Sequence, residues 1–141
     1  MPNLEDAILL ATGAHRGQKD KGGAPYILHP LRLMLKVDTD SERMAAILHD
    51  VVEDTTVTLK DLRDAGYPEP VLEAVDCLTR RKGELYEDFI RRIKPNPIAR
   101  KVKLADLEDN MDLSRIPRPE SKDLERADKY RRFWTELREQ G

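Results

Sequence analysis

A chain of 141 residues is long enough for one hydrophobic core and too short for two ordinary domains, so one domain over 1–141 is expected. Charged residues make up 37% and aromatics 5%, which suits a small helical protein with ion-paired surfaces, and a net charge of −2 gives no global basic field for nucleic acid. Cys77 is the one cysteine, which excludes an internal disulfide and a cysteine-built zinc site; no apolar run approaches membrane-spanning length and the N-terminus lacks a basic leader, so a cytoplasmic protein with no membrane partner is expected.

Apolar residues recur at helical spacing throughout, and no convincing run alternates as a strand would. A first helix is predicted over 4–17, with Leu4, Ile8, Ala11 and His15 on one face. Gly17 and then Gly22-Gly23-Ala24-Pro25 end it and open a loop. His29-Pro30 starts a second helix, with the proline where its missing N–H costs nothing. Thr39-Asp40-Ser41-Glu42 has capping-box spacing and opens the helix that carries His49, and Thr58-Leu59-Lys60-Asp61 resembles another helix start. Beyond Gly66-Tyr67-Pro68, helices are predicted at about 69–80 and 84–94. Asn96-Pro97 caps a segment running to Arg115, and a last amphipathic helix covers about 121–139 with Phe133, Trp134 and Leu137 as its apolar stripe. The result is an all-α fold of roughly seven or eight helices. Cys77 sits inside one of them and reads as a buried, inert thiol. The runs Arg80-Arg81-Lys82, Arg91-Arg92-Ile93-Lys94 and Arg131-Arg132 read as solvated faces, because no aromatic interleaving accompanies them. The stripe on the last helix fits docking on the core and fits an oligomer interface equally, so the oligomeric state stays open.

The chemistry concentrates in Ala45-Ala46-Ile47-Leu48-His49-Asp50-Val51-Val52-Glu53-Asp54. One imidazole and three carboxylates within six residues, on a largely apolar helix, repel one another unless a cation or a positively charged ligand site lies among them. A divalent metal is the simplest resolution. His29, at a helix start behind the glycine-rich loop, adds a second imidazole. The remaining partner is sought in Lys103-Leu104-Ala105-Asp106-Leu107-Glu108-Asp109-Asn110, where a helix puts Asp106 and Asn110 on one face and Asp109 nearly beside them. The same stretch also fits a solvated acidic face balanced by Arg100, Lys101 and Lys103.

The ordered set resembles the HD superfamily of metal-dependent phosphohydrolases. Its local wording is similar to the hydrolase domain of the Rel/SpoT family and the free-standing small alarmone hydrolases, enzymes of the stringent response. The likeness runs from Ala14-His15-Arg16-Gly17-Gln18 through Gly23-Ala24-Pro25-Tyr26-Ile27-Leu28-His29-Pro30-Leu31 and Leu48-His49-Asp50-Val51-Val52-Glu53-Asp54-Thr55 to Lys103-Leu104-Ala105-Asp106 with Asn110-Met111. The resemblance implies an HD helical bundle with Mn²⁺ among His29, His49, Asp50 and Asp106, and Glu53 and Asp54 positioning a metal-activated water or moving its proton. It also implies a nucleotide alarmone such as ppGpp as substrate, losing its 3′-pyrophosphate. Lys21, with Lys19 and Arg16 behind it, would meet phosphates; Asn110 would contact the nucleoside; Tyr26 would pack against the site or serve as a core aromatic. His15 is expected to orient the loop rather than to ligate.

Two departures from that pattern bear on substrate. Gln18-Lys19-Asp20-Lys21 stands where the family has Gln-x-Arg-Lys, whose arginine is associated with guanine stacking. Leu107-Glu108-Asp109 replaces Arg-Leu-His, and Asp112-Leu113 replaces Arg-Thr. They keep open a phosphohydrolase acting on another phosphorylated nucleotide or cofactor, and a non-catalytic nucleotide-binding module. A chain of this length also leaves no room for the synthetase domain of the long bifunctional members, so hydrolysis without synthesis is expected.

Overall fold

The computed structural model describes residues 1–139, so the last two residues of the expected domain lie outside the described residues. Nine helical segments occur among them: α1 Leu4–Ala14, α2 Leu28–Leu35, α3 Asp40–Leu48, α4 Val51–Asp54, α5 Leu59–Ala65, α6 Glu69–Leu78, α7 Tyr86–Ile93, α8 Pro97–Met111 and α9 Ser121–Arg138. Counting α3 and α4 as one interrupted helix makes eight, in line with the all-α reading. The extended pairing among the described residues is a single bridge between Lys19 and Pro25 in the α1–α2 loop.

The starts follow local chemistry. Thr39 accepts from the Glu42 amide at 3.1 Å while the Glu42 carboxylate takes the Thr39 amide at 3.0 Å, and Thr58 with Asp61 repeats the device at α5. Asn3 and Asp6 form a further capping box that opens α1. α1 stops at Ala14 rather than at residue 17, because the chain turns at His15 and Gly17 takes a left-handed φ of 87°. α8 ends at Met111, not Arg115: Asp112 leaves helical geometry, and residues 112–116 form a turn against the glycine-rich loop.

α3 is the pillar of the fold. Met44, Ala45, Ala46, Ile47 and Leu48 are all buried, so the helix is enclosed on every side, by α1, α2, α6 and α8. One core, with Ile47, Leu48, Val51, Leu62, Val71 and Val75, lies toward α1, α5 and α6. The other, with Leu33, Ala46, Ile90, Val102 and Leu107, includes Phe133 and Leu137 of α9, with Trp134 packed at its edge; the apolar stripe of α9 therefore docks on its own core. Cys77 is half-buried rather than buried, and desolvation raises its thiol pKa.

The break between α3 and α4 falls at His49 and Asp50. Consecutive residues of a continuous helix point about 100° apart. Here the interruption turns both side chains to one point, with His49 Nε2 3.0 Å from Asp50 Oδ2.

Candidate active site

Three helices supply the cluster. α2 delivers His29 from its first turn, the α3–α4 break delivers His49 and Asp50, and α8 delivers Asp106. Ligand atoms of His29, His49 and Asp50 all lie within 4.8 Å of one another. Asp106 Oδ1 joins them, 2.8 Å from His29 Nε2 and 3.6 Å from His49 Nε2. The two imidazoles stand 5.3 Å apart between centroids.

Each ring is oriented from behind. His49 Nδ1 donates to the Ala46 carbonyl at 2.8 Å, which leaves Nε2 as the inward-facing atom. That Nε2 is buried and makes no hydrogen bond, although two carboxylates stand close to it. His29 Nδ1 donates to Asp109 Oδ2 at 2.6 Å, and its Nε2 faces Asp106. The Tyr26 hydroxyl donates to Asp50 Oδ2, fixing the third donor.

The electrostatics express the crowding. Burial opposes charge on His29, but its bonds to Asp106 and Asp109 outweigh this and raise the ring's pKa. Burial likewise opposes charge on His49, and Asp50 and Asp106 raise it well above the ordinary histidine value. Against the same burial, His49 and the Tyr26 hydroxyl hold Asp50 down to about 2, while Lys103 and the two histidines hold Asp106 well below the carboxylate range. Burial and the Asp50 charge push Tyr26 up. Two buried imidazoles that attract protons, facing two carboxylates that shed them, are donor groups a divalent cation can satisfy together by displacing protons. His49 Nε2, buried without a hydrogen-bond partner, offers its lone pair to such a cation once its proton is displaced.

Glu53 and Asp54 leave α4 near the cluster, exposed yet shifted. Partial burial and the Asp50 charge make both accept protons more readily than ordinary carboxylic acids. Glu53 lines the cavity above the cluster, whereas Asp54 lies outside its lining and its backbone carbonyl receives the Gln18 side chain at 3.2 Å. His15 holds Gln18 Oε1 at 2.9 Å from Nδ1 and stacks 4.9 Å from Tyr26, so its contacts are with the loop.

The cavity above the cluster measures about 520 Å³, in the range of small-molecule sites. His29, Asp50 and Asp106 line it together with Lys21, Tyr26 and Asn110. Asn110 Nδ2 also reaches Asp106 Oδ1 at 3.2 Å. Arg16 is exposed and takes no part in the lining, whereas Lys19 does. Arg80, from a run expected to be a solvated face, belongs to the wall with Arg126 and Tyr130; the α6–α7 loop and α9 bring them in.

Two further residues, to which the sequence assigns no role in the site, stand against the cluster. Lys103 is buried, its Nζ 2.8 Å from Asp106 Oδ2 and just over 5 Å from the Tyr86 and Phe89 ring centres. Its setting between Val102 and Leu104, three residues before Asp106, was the available signal. Asp109 is the other, clasped by Arg32 at 2.7 and 2.9 Å.

Asp20 lines the cavity but is bound within its own loop. Its Oδ1 accepts from the Gly22 and Ala24 amides, each at 2.9 Å, and so organises the loop from within. Gly22 packs so tightly there that a Cβ would meet the Arg115 carbonyl oxygen at 2.6 Å.

A helical bundle that collects histidine, a His-Asp pair and a distant aspartate beneath a cavity lined by both basic and acidic side chains has the architecture of an HD-type phosphohydrolase. No family model matches the chain. Curated relatives do: the guanosine-3′,5′-bis(diphosphate) 3′-pyrophosphohydrolase of Vibrio cholerae is 35% identical over 134 residues, 84% of this chain and 19% of that protein. That of Aquifex aeolicus is 32% identical over 120 residues, 77% of this chain and 17% of that protein. A protein named GTP pyrophosphokinase from Streptomyces coelicolor is 35% identical over 121 residues, 77% of this chain and 14% of that protein. This chain thus spans a fifth or less of the length of these relatives. A solved structure described as a metazoan ortholog of SpoT that hydrolyzes ppGpp and plays a role in starvation responses superposes with a TM-score of 0.74 at 27% identity, over 97% of this chain and 85% of that one. By sequence and fold the chain is an HD-superfamily protein resembling the (p)ppGpp hydrolase domain of the Rel/SpoT family.

Proposed function

We propose that this chain is a divalent-cation-dependent phosphohydrolase that removes the 3′-pyrophosphate from a nucleotide alarmone such as ppGpp, within one domain spanning 1–141. His29, His49, Asp50 and Asp106 would hold the cation, Mn²⁺ or another first-row metal. The observation that carries this reading is the buried His49 Nε2, unbonded and turned toward the same centre as three other potential ligands. The names of the relatives supply the substrate class.

Bound there, the cation would draw charge from a phosphoryl oxygen and acidify a water molecule. The chain's own groups do the rest. Glu53, at the cavity wall, takes the proton of the attacking water; its proton affinity is raised by burial first, then by the Asp50 and Asp54 charges, and Asp54 beside it helps to position that water. Tyr26 keeps Asp50 oriented. Lys21 stands in the wall with Arg126 as cationic partners for phosphate, and Asn110 faces the nucleoside.

A second reading, hydrolysis of another phosphorylated nucleotide or cofactor, is favoured by one feature. Asp20 occupies the place of the stacking arginine and is committed to the loop, so guanine loses that partner. Turnover of ppGpp and its adenine counterpart with Mn²⁺, following pyrophosphate release, separates these readings. Release from ppGpp supports the first reading, release from the adenine compound alone moves the base preference, and release from neither favours the second.

A further inference from the structure

We propose that Asp109 is a positioning residue for the metal centre: it holds His29 by Nδ1–H so that Nε2 is the atom offered to the cation, and Arg32 locks the carboxylate in place. The proposal rests on reading His29 as a metal ligand.

The geometry is closed on both edges of the ring. Asp106 and Asp109 are three apart on α8 and approach His29 at opposite nitrogens, at 2.8 and 2.6 Å. An ionised carboxylate can only accept, so the short contact to Asp109 requires a proton on Nδ1. Once a cation takes Nε2, that proton fixes the tautomer.

Asp109 is itself immobilised. Its carboxylate receives Arg32 Nε at 2.7 Å and Nη2 at 2.9 Å, a two-pronged contact, and Arg115 Nη2 lies 3.4 Å from Oδ2 and 2.8 Å from the Asp109 carbonyl. Arg32 stands one turn after His29 on α2, so one helix carries both the ring and the clamp on the acid behind it. These grips keep Asp109 behind the ring and away from the cation. An imidazole at this position, as in the resembling pattern Arg-Leu-His, would offer Arg32 no charge to bind. Asp109 and Arg32 therefore form a matched pair of opposite charges.

The test is the Mn²⁺ affinity of the full chain without nucleotide, read from the electron-spin resonance of the free ion, alongside the ¹⁵N pattern of His29 in Zn²⁺-loaded protein. Asp109→Ala should weaken Mn²⁺ binding about 10–100-fold, and its His29 should lose the single Nδ1–H form. Asp109→Asn, which keeps an acceptor for Nδ1–H, should restore that form and bind more tightly than the alanine variant. If Asp109→Ala fails to fold, Asp109→Leu with Arg32→Leu removes both sides of the clasp, leaves Arg115 its Asp112 partner and carries the same expectation. Wild-type affinity with an unchanged ring pattern in the alanine or the double variant would overturn the positioning role alone. A wild-type chain that binds no divalent cation would overturn the metal reading and this role together.

Discussion

Lys103 Nζ lies 2.8 Å from Asp106 Oδ2 with both side chains buried, so the α8 carboxylate of the histidine-aspartate cluster is already paired with a fixed cation. Breaking such a pair from one side costs about 3–5 kcal/mol. The histidines beside Asp106 share its charge, so Lys103→Met should fall toward the lower end of that range in urea unfolding. Added Mn²⁺ should narrow the gap to wild type, because it supplies the missing positive charge. An unchanged midpoint would show that the pair carries no stability.

Asp106→Ala should abolish Mn²⁺-dependent pyrophosphate release while the far-ultraviolet circular dichroism stays helical. Wild-type turnover in that variant would remove Asp106 from the ligand set. Glu53→Gln separates ligation from chemistry: it should bind Mn²⁺ as wild type does and lose about 10²–10⁴-fold in kcat, the range for a proton-transferring side chain. Full activity would exclude Glu53 from the reaction.

The loop behaves as a unit around Asp20. Asp20→Asn retains an oxygen for the Gly22 and Ala24 amides, so its KM should stay near that of wild type. Asp20→Ala loses both bonds, each contributing about 1 kcal/mol, and should raise KM several-fold with kcat little changed. Equal effects of the two substitutions would mean that the charge of Asp20, rather than its hydrogen bonding, matters for substrate.

Glu84 gives the fold an acid sensitivity. Arg92 binds it at 3.0 Å while also reaching the Cys77 and Thr79 carbonyls, tying the end of α6 to α7. That guanidinium, and then the Arg81 amide, lower Glu84 from 4.5 to about 2. A depressed carboxylate stabilises the fold above its ordinary value and loses that contribution as pH falls through the folded one. Melting scans from pH 5 to pH 2 should show a decline that Glu84→Gln flattens, worth about 1 kcal/mol after solvent screening. Parallel curves would assign the acid sensitivity elsewhere.

Local chemistry made much of this protein legible in its residues. Thr39 with Glu42, Thr58 with Asp61, and Asn96-Pro97 specify helix starts through side chains within three residues of the backbone they satisfy. The histidines and acids of the cluster were legible because charged and metal-ligating types are conspicuous among apolar neighbours. The helix that carries His49 is interrupted at that residue, and the break aims two consecutive side chains at one point, which helical periodicity does not show.

What only the tertiary structure decided are contacts across long stretches of chain. Arg32 and Asp109 are 77 residues apart and His29 and Asp109 are 80 apart, and no local pattern marks either pairing. Lys103 read as a counter-charge on a solvated face and lies inside beside Asp106, because the packing of α7 and α9 places Tyr86 and Tyr130 over the same cavity. Asp20 stands where the resembling pattern has an arginine, and only the fold shows it accepting from two amides of its own loop at the cavity wall. Helix capping and periodicity act within a few residues, so composition and spacing determine them; the partner of a buried charge is chosen by whatever the folded chain brings within about 3 Å, and that choice exists only once α2, α3 and α8 have packed.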